Sequence, residues 1–392
     1  MTPATDTTAT DTTEASATGG RSPLLDLPGA VAAGPDDPDH GVAAHYGDPL
    51  REQRAAERSA VLVDRSNRGV VTITGPDRLS WLHSITSQHL SGLAAGRGGE
   101  ALVLSPHGHV EHHALLAEDG TTTWLDVEPG TTAGLLAYLD SMRFLLRVEP
   151  RDAGAEWAVL SVVGPDAVAA TERALGGPVP AALAEPVVAD AGDDGAPGGF
   201  AQDTLARGPY PVATLPGAGG AGRDVLARRM PYGLDLLVPR DALRETADRF
   251  AATGTALAGI SAFEAARIAA RRPRLGLDTD HRTIPHEVGW LFVAVHLTKG
   301  CYRGQETVAR VHNLGRPPRR LVLAHLDGTT VAPGSPVSLD GRTVGFAGAS
   351  AVHHELGPIA LVMVKRTVPD DATLVVDDPE SGPVAARIDP AD

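Results

Sequence analysis

Twice in this chain a run of apolar and β-branched residues breaks at Gly-Pro-Asp and continues as a helical stretch, and this unit limits the possible folds. Val70-Val71-Thr72-Ile73-Thr74 leads into Gly75-Pro76-Asp77 and then Arg78 to Ile85. Val159-Leu160-Ser161-Val162-Val163 leads into Gly164-Pro165-Asp166 and a helical stretch to Leu175. Each reads as a strand, a tight turn, Pro at the first helical position and Asp in the first turn, where its charge meets the positive helix end. The offset from Asp77 to Asp166 is 89 residues, too long for a solenoid repeat. Two such units with further strands between them predict an α+β architecture built from related halves; the alternative is two unrelated turns that look alike.

A length of 392 residues predicts two or three domains. Residues 1–40 are rich in Thr, Ala, Asp, Gly and Pro and cannot bury enough apolar surface to offset their ordering entropy, so a disordered tail is expected there. Residues 41–316 have globular patterning, interrupted by loop-like stretches at Ala189–Gly199 and Pro216–Gly222. Residues 317–392, after Arg316-Pro317-Pro318, become short β-like runs separated by Gly, Asp and Pro turns, one of them the hairpin signal Asp340-Gly341. A small antiparallel β-barrel is expected there. Ser261 and Glu264 form a capping-box pattern with Pro273 as the stop, so Glu264 reads as a helix-start residue; an exposed pair with Arg267 would contribute only about 0.2–0.5 kcal/mol. The first twenty residues hold no apolar run and no Lys, and no apolar stretch approaches the roughly 20 residues of a spanning helix, so a cytoplasmic location is expected.

Arg and Lys number 34 against 49 Asp and Glu, a formal charge of −15, which disfavours general nucleic-acid coating. The single cysteine, Cys301, excludes a disulfide framework, a Cys-rich zinc site and a four-thiolate cluster within one chain, and suits a reducing compartment. It falls two positions from Lys299, one of only two lysines. Trp290–Val295 reads as an apolar strand leading into a loop with Gly300 and Gly304, and Gln305 can open a short helix. Lys299, Arg303 and a nearby helix N-terminus would all stabilise a Cys301 thiolate; the alternative is a small buried hydrophobe. From Arg267 to Arg320, ten Arg and one Lys face four acidic residues, a local charge of +7. That points to a compact anionic ligand, or to solvated arginines on several faces.

Lys299-Gly300-Cys301-Tyr302-Arg303-Gly304-Gln305-Glu306, followed by Val308-Ala309-Arg310, resembles the K-G-C-Y-x-G-Q-E signature of the YgfZ-type folate-binding proteins. These are relatives of the glycine-cleavage T-protein (GcvT), the tetrahydrofolate-dependent aminomethyltransferase, and include iron–sulfur assembly factors. The Gly75-Pro76-Asp77 turn with Trp81-Leu82, then Glu264 to Ile268 and Pro285-x-Glu287, resemble other parts of the family. The resemblance implies a GcvT/YgfZ-like three-domain cloverleaf, with two interleaved α+β domains over about residues 45–316 and the barrel beyond. It implies a central channel for tetrahydrofolate or a derivative, no permanently bound metal, and a role with iron–sulfur enzymes or assembly factors. Cys301 would be the functional thiol, and Lys299, Gly300, Tyr302, Arg303, Gly304, Gln305, Glu306, Arg310, Arg267 and Glu287 would serve the folate. Arg and Lys would pair with its glutamate carboxylates.

Two features depart from the family pattern. Where T-proteins carry an acidic pair with a catalytic Asp, this chain has His112 and His113, so orthodox aminomethyl transfer is not expected; Ala269 stands where an acidic residue is usual. Six of the 15 histidines lie between His83 and His113, and His109, Glu111 and His113 would alternate onto one strand face, a set suited to zinc, iron or manganese. His353-His354-Glu355 is a weaker candidate near a loop. Three functions therefore compete: a folate-binding iron–sulfur assembly factor that is not a conventional enzyme, a folate-dependent one-carbon transferase, and a metal enzyme centred on His109, Glu111 and His113.

Overall fold

The computed structural model describes residues 20–185, 187 and 210–390. Both Gly-Pro-Asp units form the expected strand, turn and helix, but each helix starts one residue after the Asp, so Pro76 and Pro165 lie outside it and the Asp stands just before its first turn. Strand Gly69–Thr74 leads to helix Arg78–Ile85, and strand Trp157–Val163 to helix Ala167–Leu175. Gly75 (φ 105°) and Gly164 (φ 130°) make the turns in a left-handed conformation that other residues rarely adopt. Neither Asp caps its helix; the Asp77 carboxylate is taken by Arg147 at 2.8 Å instead.

The two strands belong to opposite parts of one eleven-stranded sheet. Its strands are β1 (Val61–Asp64), β2 (Gly69–Thr74), β3 (Arg97–Leu104), β4 (Val110–Glu118), β5 (Thr123–Val127), β6 (Glu149–Asp152), β7 (Trp157–Val163), β8 (Tyr210–Leu215), β9 (Val225–Met230), β10 (Gly233–Pro239) and β11 (Ala256–Ala258). The order is β11-β1-β7-β10-β9-β8-β3-β4-β5-β2-β6, so chain segments alternate between the halves. Helices Arg78–Ile85 and Thr132–Ser141 bury their apolar side chains on one half, with Trp81, Leu82 and Leu135 in that core. Helices Ala167–Leu175 and Leu243–Ala252 do so on the other, around Leu160, Leu236 and Phe250. The inner faces meet through Val70, Val159, Leu226 and Leu237, so the sheet curls until its halves pack against each other.

Residues 319–388 form the closed six-stranded antiparallel barrel. Asp340 (φ 51°) and Gly341 (φ 73°) make its two-residue hairpin turn.

Three expectations fail for physical reasons. Trp290–Val295 is no strand: Leu291–Ala294 is a short helix whose Leu291 and Ala294 join Trp290 and Val295 against Leu102 and Leu104. A short apolar run carries no period that separates buried helix from buried strand. The expected tail reaches residue 40, yet residues 20–40 pack on the fold: Leu24 is fully buried and Asp39 pairs with Arg274 at 2.6 Å. Residues 1–19 and the Ala189–Gly199 stretch lie outside the described residues. The third is the helix predicted to start at Ser261; it runs Ile260–Ala269 with Gly259 at its N-cap, and Glu264 belongs to a buried ion-pair chain.

Candidate functional site

The signature segment packs between strands β3 and β4 and the barrel, with Tyr302 and Val308 buried beside Leu104, Val110 and Met363. Lys299 is buried, and its Nζ donates to the backbone oxygens of His83, Thr86 (2.7 Å) and Gln88 (2.9 Å). It thereby satisfies carbonyls at and beyond the C-terminus of helix Arg78–Ile85, where a cation is favoured. Burial pushes its ammonium down to about 8. The Nζ also lies 5.2 Å from the Tyr302 ring centre.

Gln305 Nε2 donates to the Lys299 carbonyl at 3.2 Å and closes the loop. Gly304 (φ 82°) precedes helix Gln305–Leu314, and a Cβ there would stand 2.5 Å from the Ser105 carbonyl oxygen. Only glycine lets the loop meet the Ser105–Gly108 turn backbone to backbone. Within this frame Gly300 and Cys301 are exposed. Arg303 pairs with Glu111 at 2.9 Å and lies 5.9 Å from the Tyr138 ring centre. Glu306 and Arg310 are exposed on the helix. The two cations expected to activate the thiol thus have other partners.

Arg267 and Glu287 do not join the loop. Arg267 is buried between Glu264 and Asp278 at 2.5 Å each. Glu287 is buried against Arg319 at 2.8 Å and accepts from the Ile284 N–H. The basic stretch is therefore largely paired within the protein, Arg271, Arg274 and Arg320 included. Arg282, Arg310 and Arg316 are exposed and make no ion pair among the described residues.

The histidines also part company. His113 is buried, stacks on Trp290 (ring centres 4.6 Å apart, 16° between planes) and meets Glu100 through its Nε2 at 2.7 Å. The Tyr210 hydroxyl donates to the other Glu100 oxygen. Burial opposes the Glu100 charge, but the hydrogen bonds of His113 and Tyr210 and the nearby Arg272 outweigh it and hold the carboxyl below its usual range. Glu111 is held by Arg303, and His109 ends near His107. Among the described residues His109, Glu111 and His113 do not bring three ligand atoms within metal-binding reach, which corrects that expectation.

Sequence reasoning missed a buried ion-pair chain through the molecule. Arg228 pairs with Asp126 and Asp235 at 2.7 Å each, and Arg68 joins Asp126 (2.9 Å) to Glu128 (2.7 Å). Arg274 joins Glu128 (2.8 Å) to Glu264 (2.8 Å), and Arg267 carries the chain to Asp278 beside the barrel. Burial alone would raise the Glu264 carboxyl, but Arg267 and Arg274 pull it down to about 2. One signal was available: Arg228 and Asp235 each interrupt an apolar strand and stand opposite each other in the β9–β10 register.

Residues 44–178 match the GCVT N-terminal domain family. The chain is 28% identical over 306 residues to an aminomethyltransferase of Symbiobacterium thermophilum, covering 76% of each. An aminomethyltransferase of Rubrobacter xylanophilus is 29% identical over 344 residues, 86% of this chain and 84% of that one. The fold matches the crystal structure of glycine cleavage system aminomethyltransferase T from Bartonella henselae with a TM-score of 0.70 at 16% identity, over 93% and 94% of the two chains. In sequence and in fold the chain is therefore similar to proteins of the GcvT superfamily. Against that GcvT background, His112 and His113 sit on β4, His113 locked to Glu100 and His112 half-buried near Tyr138. A cleft of about 460 Å³ lies elsewhere, between residues 36–39, helix Pro49–Arg58, helix Ile260–Ala269 and the barrel. Its polar rim is acidic (Asp36, Asp37, Asp39, Glu264) and no signature residue lines it.

Proposed function

We propose that the chain is a tetrahydrofolate-binding protein that assists the assembly or repair of iron–sulfur enzymes through Cys301, in a cytoplasmic setting. The observation that carries this reading is an exposed, unique thiol on a loop fixed at both ends, by Lys299 on one side and by Gly304 and Gln305 on the other. Such a loop presents sulfur to a second protein without local reordering.

A folate asks for buried hydrogen-bonding groups around its pterin and cations for its glutamate tail. The residues fit such a ligand. Arg228 Nε is buried with no hydrogen-bond partner among the described residues, and Glu100, His113 and Tyr210 form a second buried polar group. The exposed Arg310 and Arg316 suit carboxylates. Tyr302, Arg303, Gln305 and Glu306 would shape the mouth of the site, while Lys299, Arg267 and Glu287 would hold its walls. When bound, tetrahydrofolate supplies an acceptor for a one-carbon unit.

A folate-dependent one-carbon transferase of the T-protein type is the second reading, favoured by the names of the relatives and by a His113–Glu100 dyad able to hold a proton. Two measurements separate the readings. Tetrahydrofolate titration should quench tryptophan fluorescence, Trp290 being stacked on His113, and no saturable change would overturn the folate assignment. Cys301→Ala should then bind folate normally yet lower iron–sulfur enzyme activities in a deletion strain. Full complementation, with methylene-tetrahydrofolate formed from an aminomethyl donor, would favour the transferase.

A further inference from the structure

Helix Pro49–Arg58 meets the barrel at the turn that joins strands Arg342–His353 and Gly357–Lys365. Gln53 makes the first contact: its Nε2 donates to the Val352 carbonyl at 2.9 Å, and its Oε1 accepts from the His354 N–H at 2.8 Å. Glu57 lies one helical turn further on, on the same face. Its Oε2 is 3.3 Å from His354 Nε2. Glu355 completes the group, and one ligand atom from each of Glu57, His354 and Glu355 lies within 4.8 Å of the others.

We infer that Glu57, His354 and Glu355 form a binding site for a divalent transition cation, zinc in the first place, that clamps the N-terminal helix to the barrel. Three donors around a metal at about 2.0–2.2 Å stand roughly 3.4 Å apart in tetrahedral geometry, so side-chain adjustments of about an ångström bring this set to bonding distance. Two carboxylates and a neutral imidazole balance the charge of a divalent ion, and the N,O,O donor set suits zinc or manganese better than calcium.

The site is built rather than accidental in two respects. The His354 side chain is only 5% exposed and stacks on the His353 ring at 4.7 Å. His353 Nδ1 in turn accepts the N–H groups of Glu355 and Leu356 at 3.2 Å each, which holds the turn that carries two of the three ligands. Gln53 and Val352, the tie beside the site, also line the 460 Å³ cleft, so an ion here would fix one wall of that cleft. Three protein ligands leave coordination positions open to water or to an anionic group of a molecule in the cleft.

The test uses the full chain, expressed without a histidine tag, stripped with EDTA and titrated with zinc chloride alone by calorimetry. One equivalent should bind with a micromolar or tighter dissociation constant and raise the thermal midpoint by several degrees. Cobalt(II) in its place should give visible absorption of low-coordinate N/O character. The double variant Glu57→Gln, Glu355→Gln changes two exposed side chains that the core does not need, and should weaken binding at least 100-fold and abolish the shift. Binding weaker than millimolar, or an unchanged isotherm in the double variant, would overturn the assignment.

Discussion

Replacing Lys299 by Met tests the idea that this residue is a strut of the signature loop rather than a ligand group. Met keeps most of the buried stem and removes the ammonium. Three hydrogen bonds from a charged donor vanish, and the Thr86 and Gln88 oxygens they leave are in buried residues. At about 1.5–3 kcal/mol per charge-assisted bond, the gross loss is about 4.5–9 kcal/mol. Against this, burial of the ammonium costs about 3 kcal/mol, from a group brought from 10.5 to about 8. The local net is about 1.5–6 kcal/mol, and because 1.4 kcal/mol is tenfold, opening of this region should become roughly 10- to 20,000-fold more frequent. A chain of several packed parts need not unfold in one step, so a global midpoint is the wrong readout. Amide exchange is the right one, followed at Ser87, which donates to Leu102, and at His296, which donates to Ser87. Loss of protection at both, with tetrahydrofolate affinity reduced only in proportion to the opening, is the expected outcome. Unchanged exchange together with abolished folate binding would refute the strut and make Lys299 a ligand.

Asp126→Ala removes the carboxylate shared by Arg228 and Arg68 and leaves two buried guanidiniums short of charge. Breaking a buried pair in this way costs about 3–5 kcal/mol, so soluble yield and urea resistance should both fall steeply, whereas Asp119→Ala, at a partly buried hairpin, should cost far less. His286 gives a pH signature: burial, with His312 nearby, pushes its imidazole down to about 4, and both ring nitrogens lack hydrogen-bond partners among the described residues. The unfolded chain takes up this proton first, so the contribution is complete above about pH 6.5 and is lost as pH falls toward 4. It amounts to at most about 3 kcal/mol, nearer half that after solvent screening. In urea titrations between pH 7 and 4.5, His286→Phe should lose less stability than the parent, and parallel curves would refute the assignment.

What the sequence made legible was local. Strand, Gly-Pro-Asp and helix are adjacent in the chain, so their turn chemistry reads directly, as does Asp340-Gly341 in the barrel. The barrel's strands were legible for the same reason, although its last strand, Gly382–Ile388, is too interrupted by Pro and Arg to stand out. What stayed hidden was long-range pairing. Lys299 reaches carbonyls more than two hundred positions away, and Arg274 reaches Asp39 across 235. Sequence spacing contains no term for such contacts, so Glu264 read as a helix cap when its partners lay beyond the helix. Trp290–Val295 failed for a different reason: six apolar residues satisfy the burial of either a strand or a helix, and its neighbours Leu102 and Leu104 decided it.

The basic stretch shows why the distinction bears on function. Its net +7 pointed to an anion, but Arg267, Arg274 and Arg319 face Asp and Glu at 2.5–2.8 Å and have no charge left for a ligand. A buried guanidinium moved toward a new anion would abandon a carboxylate already desolvated with it, a loss comparable to breaking the pair. The exposed Arg310 and Arg316 carry no such penalty, and they sit on and just beyond the helix that Gly304 opens behind Cys301. An anionic ligand that reaches this surface therefore meets cations that are free to pair with it. In this arrangement the buried chain holds the halves and the barrel in place, and recognition falls to the few cations the chain leaves unpaired.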